Sequence, residues 1–136
     1  CMNMSKRKVG ALIVIERTIP LDDVSDTGDK IDANINQRLI ENIFFKNSPL
    51  HDGAMIISKH RIKSAGCILP VSHSLDIPKE LGLRHRAAMG MSQDSDAVVI
   101  VVSEETGGIT VAIKGQFQLR LSAEKLESVL TEELKN

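Results

Sequence analysis

The stretch from residue 97 to residue 102, Ala-Val-Val-Ile-Val-Val, is the feature that most limits how this chain can fold. Branched side chains favour extended backbone, and an apolar run without polar alternation indicates a strand that is buried. A second run of this kind covers residues 9–15, Val-Gly-Ala-Leu-Ile-Val-Ile. Both segments are therefore predicted to be buried strands.

Shorter segments predict the remaining secondary structure. Strands are predicted at 54–57, at 61–69, at 109–113 beyond a Gly-Gly hairpin turn, and at a sheet edge over 118–121. Helices are predicted at 36–45, at 83–92, and after Ser122, where Leu126, Val129, Leu130 and Leu134 share one face. Residues 18–28 are predicted to be a short helix or loop and residues 70–78 a loop. The expected fold is α/β, a single domain with a central mixed β-sheet flanked by helices.

Length and composition limit the function classes. The 136 residues suit one domain, placed at residues 9–136, with residues 1–8 interpreted as a cloning or juxtamembrane remnant. The basic trio at 6–8 suits either a juxtamembrane remnant or an ordinary solvated terminus. A net charge of −1, no Trp, no Tyr and three Phe argue against binding of a nucleic acid polymer. No run of about 18 apolar residues is present, so the sequence itself contains no predicted membrane span.

Three adjacent residues, Arg84, His85 and Arg86, form the strongest candidate binding motif. They open a predicted helix, where unpaired N–H groups and the helix dipole attract anions, and arginine binds phosphate oxygens in pairs. At a helix start the backbone is not yet regular, so all three side chains can face one ligand. The alternative is a solvated basic face.

Two acidic clusters accompany this motif. His51 and Asp52 precede Gly53, which allows close approach of the backbone to a ligand; a plain turn before a strand is the alternative. Ser103, Glu104 and Glu105 follow the strongest strand, where ligands bind in many α/β sheets; a solvated hairpin turn is the alternative. The usual Walker, GxGxxG and zinc patterns are absent from the sequence.

Taken in order, these clusters resemble the motifs of the diadenylate cyclase (DAC, DisA_N-like) domain. The matching segments are Asp52-Gly53-Ala54, Leu81-Gly82-Leu83-Arg84-His85-Arg86-Ala87-Ala88 and Ser103-Glu104-Glu105, with Gly10 to Glu16 similar to the first core strand of the family. The resemblance covers residues 9–121 and is closest to the membrane-anchored CdaA/DacA branch. It departs at Leu83, where the family commonly has Thr, and at Ile68, where the branch often has Tyr.

The resemblance implies a reaction in which two ATP molecules give cyclic di-AMP and two pyrophosphates in a homodimer. Each protomer would hold one ATP, and the 3′-hydroxyl of each nucleotide would attack the α-phosphorus of the other. It also implies a domain at the cytoplasmic face of the cell membrane, anchored by an upstream transmembrane segment absent from this sequence. Such transfer depends mainly on positioning and charge neutralisation.

The same resemblance implies roles for individual residues. Arg84 and Arg86 would bind and orient phosphates, with His85 near them, and Ser103 would donate to a phosphate oxygen. Asp52, beside Gly53, would orient or help deprotonate the attacking hydroxyl. His51 and Glu105, with Glu104 near, would hold Mn²⁺ or Mg²⁺. Ile68, Leu69 and Leu83 would contact the nucleotide.

Two other functions are open from the sequence. The first is a related nucleotide-binding regulatory module without catalysis. The second is an α/β interaction domain in which the basic motif lies on the surface.

Overall fold

The computed structural model describes residues 2–70 and 82–133, which form one seven-stranded sheet with helices on both faces. The strands are β1 (Ala11–Ile15), β2 (Asp29–Asn34), β3 (Ala54–Ser58), β4 (Arg61–Cys67), β5 (Val98–Val102), β6 (Ile109–Ile113) and β7 (Gln116–Gln118). The helices are α1 (Met2–Arg7), α2 (Asp22–Ser25), α3 (Gln37–Ile43), α4 (Leu83–Asp94) and α5 (Ala123–Glu133).

The sheet is mixed, as the sequence predicted. Its strand order is β2-β4-β3-β1-β5-β6-β7, with β1 parallel to β3 and every other neighbouring pair antiparallel. Ala11 pairs with Val102, so the start of β1 lies beside the end of β5. Since β3 runs with β1, the turn before β3 reaches this same edge of the sheet.

Both faces of the central strands are buried, which explains why β5 is apolar at every position. On one face, Val98, Ile100 and Val102 pack with Phe44 near the end of α3 and Leu126 of α5. On the other face, Val99 and Val101 pack with Ala88 and Met91 of α4. Burial of each Val or Ile stabilises the fold by about 1.5–3 kcal/mol relative to exposure. The core therefore fixes α4, and with it the predicted binding motif, against the centre of the sheet.

The predicted secondary structure is confirmed at most positions and is wrong at the last sheet edge. The edge strand β7 covers Gln116–Gln118 rather than residues 118–121. Arg120 adopts a left-handed φ of 55°, which interrupts the strand, and the amide of Leu121 then donates to the carbonyl of Ile109 at 2.9 Å. The predicted loop at 70–78, apart from Pro70, and Leu134 of the last helix lie outside the described residues.

The sequence analysis did not predict helix α1. Met4 is buried in the main core, and the amide of Val9 donates to the carbonyl of Met4 at 2.8 Å. The Ser5 hydroxyl donates to the carbonyl of Gly107 at 2.5 Å, which joins α1 to the turn after β5. Residues before position 9 thus pack on the domain, while the boundary at residue 8 stays a prediction. Within residues 2–70 and 82–133, no helix is long and apolar enough to cross a membrane.

Candidate functional site

A cleft of about 820 Å³ opens at the sheet edge where β1 begins and β5 ends. Its size is that of a small-molecule site. Three segments supply most of its walls: the start of α4 from Gly82 to His85, the turn from Ser103 to Thr106, and the residues after β7, Leu119 and Arg120. Asp52 completes the wall from the turn before β3. The three sequence clusters therefore meet in one cleft.

Arg84 is the residue that joins these segments. Its Nη1 lies 3.4 Å from Glu104 Oε1, and its Nη2 lies 4.0 Å from Asp52 Oδ1. Nη2 also donates to the carbonyl of His51 at 3.5 Å. The Arg84 side chain is 17% exposed, whereas the carboxylates of Asp52 and Glu104 are 85% and 65% exposed. A guanidinium held at the base of the cleft, below exposed carboxylates, can receive an anionic ligand entering from solvent.

His85 lies in the wall of the cleft and is itself buried. Its ring packs edge-on against Phe117 of β7, with 6.2 Å between the ring centroids. Burial, and secondarily the positive charge of Arg84, lower the pKa of His85 below its usual value of 6.5. At neutral pH the ring is therefore an uncharged hydrogen-bonding group beside the cleft.

Arg86 is placed differently from the two residues before it. It is half-buried and, unlike Arg84 and His85, does not line the cleft. Helix α4 begins at Leu83, and the amide of Arg86 already donates to the carbonyl of Gly82 at 3.2 Å. Regular helical backbone directs successive side chains about 100° apart, so Arg86 starts from a different side of α4 than Arg84, two positions before it. A phosphate contact by Arg86 stays a prediction.

His51 and Asp52 present two metal-binding atoms side by side. The Nδ1 atom of His51 lies 2.7 Å from the carbonyl of Ser48, which can only accept, so Nδ1 is the donor in this bond and Nε2 is the ring nitrogen that faces Asp52. That Nε2 lies 3.1 Å from Asp52 Oδ1. Neighbouring ligands of a six-coordinate ion with bonds of about 2.1 Å are spaced by about 3 Å, so this pair suits a divalent cation.

The residues that the structure describes supply no more than part of the coordination shell of a metal ion. Among residues 2–70 and 82–133, no group of three or more His, Cys, Asp or Glu side chains could hold an ion. Glu105 lines the cleft with Asp52, while His51 does not line it. The residues present thus fit a cation that takes its remaining ligands from a bound phosphate chain or from water.

The structure shows a packing role for Gly53, which is distinct from the predicted close approach of its backbone to a ligand. A Cβ atom at this position would overlap the backbone of Gly66 and of Cys67 in β4. Gly53 does not line the cleft among the described residues. The glycine therefore allows the turn to pack closely on β4, which places Asp52 at the cleft.

Ser103 organises the acidic turn. Its hydroxyl oxygen accepts from the amides of Glu105 and Thr106 at 3.2 and 3.3 Å, and its carbonyl accepts from the amide of Gly107 at 2.9 Å. Because the oxygen is the acceptor in both bonds, the hydroxyl proton remains available to a ligand oxygen. The turn also presents the carboxylates of Glu104 and Glu105 to the cleft.

The predicted nucleotide contacts fall in different places. Leu83 lines the cleft and is 77% exposed, so its apolar surface is available to a ligand. Ile68 is exposed and Leu69 is buried in the core beside α4, and neither lines this cleft. Their contact with a base stays a prediction.

Sequence reasoning missed the wall formed by Leu119 and Arg120. The segment was assigned to an edge strand, in which alternate side chains point to opposite faces. The left-handed backbone at Arg120 is a tertiary feature, and no local signal in the sequence indicates it. Within the described residues, Arg120 is the second guanidinium of the cleft wall.

An α/β domain in which a helix start, a partly buried arginine and exposed carboxylates surround one cleft has the features of a nucleotide-binding domain. Comparison with known families agrees. The model of the DAC family, described as DisA bacterial checkpoint controller nucleotide-binding, matches residues 1–117. The chain belongs to this family.

Named relatives are similar over nearly the whole chain. The cyclic di-AMP synthase CdaA of Bacillus subtilis (strain 168) is 47% identical over 132 residues, which are 97% of this chain and 48% of the relative. The diadenylate cyclase of Listeria monocytogenes serotype 1/2a (strain 10403S) is 48% identical over 131 residues, 96% of this chain and 48% of the relative. The chain thus spans about half the length of these curated relatives.

Solved structures confirm the fold. A crystal structure of a double mutant of DacA from Staphylococcus aureus superposes with a TM-score of 0.96 at 47% identity, covering 98% of this chain and 89% of that one. A Bacillus cereus protein described as a hypothetical membrane spanning protein superposes with a TM-score of 0.85 at 44% identity, covering 89% of this chain and 59% of that one. The expected α/β fold and the expected family are therefore both confirmed.

Proposed function

We propose that this domain is a diadenylate cyclase, which condenses two ATP molecules into cyclic di-AMP and two pyrophosphates. The single observation that carries the proposal is the position of Arg84, between Asp52 and Glu104 in a cleft of nucleotide size. Relatives that are 47% and 48% identical over almost all of this chain are named as enzymes of this kind. Nucleotidyl transfer needs such an arrangement, because it depends on holding phosphates in line and neutralising their charge.

In the proposed reaction, the guanidinium of Arg84 binds the phosphate chain from the base of the cleft. Each Nη group offers charge-assisted donors, which are stronger than neutral ones and which strengthen as charge develops on the transferring phosphate. Ser103 donates its hydroxyl proton to a phosphate oxygen. Arg120, in the segment after β7, adds a second positive charge to the cleft wall. His85, neutral and buried, orients the start of α4 rather than adding charge.

Asp52 is proposed to act on the attacking 3′-hydroxyl. Its carboxylate is 85% exposed at the mouth of the cleft, so a nucleotide presented by a second molecule can reach it. As an acceptor it would orient the hydroxyl and receive its proton as the oxygen attacks the α-phosphorus. Two protomers facing each other would perform the step twice, which closes the ring of the product. The active form is therefore proposed to be a face-to-face homodimer.

A divalent cation, Mn²⁺ or Mg²⁺, is the proposed cofactor. His51 and Asp52 would hold it from one side, with phosphate oxygens completing the shell; Glu105 does not group with them in the described residues, and its role as a metal ligand stays a prediction from the resemblance. When bound, the ion would withdraw charge from the phosphates and stabilise the leaving pyrophosphate. Leu83, with Ile68 and Leu69 as predicted from the resemblance, would contact the nucleotide.

The decisive experiment compares Asp52→Asn with wild type for conversion of ATP in the presence of Mn²⁺. The variant is expected to bind ATP and to lose cyclic di-AMP formation, detected by mass spectrometry, while its thermal unfolding is unchanged. Asp23→Asn is the matched control, because Asp23 is an exposed carboxylate on α2 outside the cleft. Normal product formation by Asp52→Asn would remove Asp52 from the mechanism. Binding of ATP by wild type without any pyrophosphate release would instead identify a non-catalytic nucleotide-binding module.

The dimer is tested by dilution. Specific activity is expected to fall as protein concentration falls below the dissociation constant of the pair, since each protomer supplies half of the reacting groups. Sedimentation measured over the same concentrations gives the dimer population independently. A monomeric protein that retains constant specific activity would contradict the face-to-face arrangement.

The proposed location is the cytoplasmic face of the cell membrane, through an upstream transmembrane segment that these 136 residues do not contain. The exposed cations Lys6, Arg7 and Lys8 at the end of α1 are suited to an anionic lipid surface. Fractionation of cells expressing the full-length protein tests this. Recovery of the full-length protein in the supernatant after ultracentrifugation would contradict it.

A further inference from the structure

The backbone of Gly10, just before β1, lies directly beneath the guanidinium of Arg84. A Cβ atom built on Gly10 would stand 2.7 Å from Cζ, 2.7 Å from Nη1 and 3.0 Å from Nη2 of that side chain. The three nearly equal distances mean that the planar group lies face-on against the glycine. Normal contacts between such atoms are about 3.5–4.0 Å, so no side chain fits between them.

The other contacts of Arg84 are too long to fix the guanidinium by themselves. Its distances to Glu104 Oε1, to the His51 carbonyl and to Asp52 Oδ1 are 3.4, 3.5 and 4.0 Å. Its Nε is buried and has no hydrogen-bond partner among the described residues. Pairs with exposed carboxylates contribute about 0–1 kcal/mol and do not define one geometry. Packing against Gly10 is therefore the contact that sets the depth of the guanidinium.

We infer that Gly10 is a positioning residue for Arg84: its missing side chain provides the surface that holds the guanidinium at the base of the cleft. The inference rests on the proposed function for its catalytic consequence. The backbone beside Gly10 is fixed, because Ala11 pairs with Val102 within the sheet. A methyl group at position 10 would therefore displace the flexible arginine rather than the strand. The guanidinium would move by about 1 Å, the difference between the built and the normal contact distances.

The central experiment is a double-mutant cycle of Gly10→Ala and Arg84→Met. Displacement of a catalytic group by about 1 Å can lower activity by about 100-fold. Gly10→Ala is accordingly expected to lower kcat/KM for ATP by about 10-fold to 100-fold and to keep the thermal midpoint of wild type within a few degrees. In the Arg84→Met background the same change is expected to alter the residual activity less than twofold. Equal losses in both backgrounds, or a Gly10→Ala enzyme with normal activity, would overturn the inference.

A measurement without nucleotide separates this inference from the proposed function. The side-chain Nε–Hε signal of Arg84 in a ¹H–¹⁵N spectrum is assigned by its loss in Arg84→Met. In wild type this buried proton is expected to exchange slowly with water; in Gly10→Ala it is expected to shift and to exchange faster. An unchanged signal would overturn the positioning role whatever the activity. A wild-type protein with no activity would refute the cyclase proposal and leave this test intact.

Gly28→Ala is the matched glycine control. Its Cβ would overlap the backbone carbonyl of Ala65 in β4, which cannot move as an arginine side chain can. It is expected to lower the thermal midpoint without shifting the Arg84 signal. If Gly10→Ala alone does not fold, the double variant with Arg84→Met removes the collision and is expected to fold. Failure of the double variant to fold would show that the methyl group clashes with something other than Arg84.

Discussion

Acidification provides a direct test of how His85 is held. His85 is 6% exposed and packs on Phe117. Burial is the main cause of its lowered pKa, and the adjacent positive charge of Arg84 is the second cause. Protonation would place a second cation in a dry wall beside the first. In the folded state the pKa of His85 is therefore below 6.5, its value in the unfolded chain.

The sign of the effect follows from proton binding. Below pH 6.5 the unfolded chain binds a proton at position 85 that the folded protein does not, so the free energy of unfolding falls as the pH falls. The loss begins near pH 6.5 and ends at the pKa of the folded state. Its slope is at most about 1.4 kcal/mol per pH unit. Between pH 7.5 and 5.5 the contribution of His85 is thus up to about 1.4 kcal/mol.

Urea unfolding at pH 7.5, 6.5 and 5.5 measures the contribution of His85 to the free energy of unfolding. Wild type is expected to lose more stability across the range than His85→Gln, whose side chain does not titrate. The matched control is His60→Asn, because His60 is exposed in the turn after β3 with a left-handed φ of 64° that asparagine tolerates. Its profile is expected to follow wild type. Parallel profiles for wild type and His85→Gln would show that the ring binds a proton as readily in the folded state as in the unfolded chain, and would refute the reasoning.

Three further outcomes are expected. Arg84→Met should weaken ATP binding, measured by calorimetry, by about 10-fold to 150-fold, because one charge-assisted hydrogen bond of about 1.5–3 kcal/mol is lost. The same change should alter the free energy of unfolding, measured in urea, by less than about 1 kcal/mol. A loss of stability as large as the loss of affinity would contradict a binding role. Gly53→Ala should lower the free energy of unfolding by about 1–3 kcal/mol through overlap with the β4 backbone, and a stable variant would mean that the turn can move away. Burial raises the pKa of the Cys67 thiol, so iodoacetamide should modify it at pH 8 much more slowly in buffer than in urea, measured by peptide mass; equal rates would indicate an accessible thiol.

The parts of the fold that the sequence predicted are those in which local pattern and burial agree. Strand β5 is apolar throughout because both of its faces are covered, so its pattern alone predicts a buried strand. Strand β2 is polar and was missed. It forms because β4 offers a free edge, and because Arg61 holds both Asp32, at 2.9 Å, and Asn34, at 2.9 Å, across the pair.

In the candidate site, too, the features set by local sequence could be predicted and those set by tertiary contacts could not. Residue types and spacing favoured Arg84 as a binding residue, whereas Asp52 and Glu104 were assigned to the site by the resemblance to the family; the structure brings all three side chains to one cleft. Residue types and spacing were not sufficient to separate Arg86 from Arg84, because that depends on where the helix starts. Nor could they find Gly10, whose role is visible only when the arginine is seen lying against it.

The single parallel pair in this sheet has a consequence for how related sites are recognised. In doubly wound proteins the ligand lies beyond the carboxyl ends of parallel strands. Here β1 and β3 both enter the sheet from the cleft, so a ligand there would face their amino ends, whereas the oppositely directed strands β5 and β7 end at this rim and continue into Ser103 and Leu119 of the cleft wall. A search at the carboxyl ends of the parallel strands would inspect the rim near Glu16 and would overlook the rim that carries the cleft. The antiparallel pairing of β1 with β5, rather than a phosphate-binding loop, brings Arg84 together with Asp52 and Glu104 at one rim of the sheet.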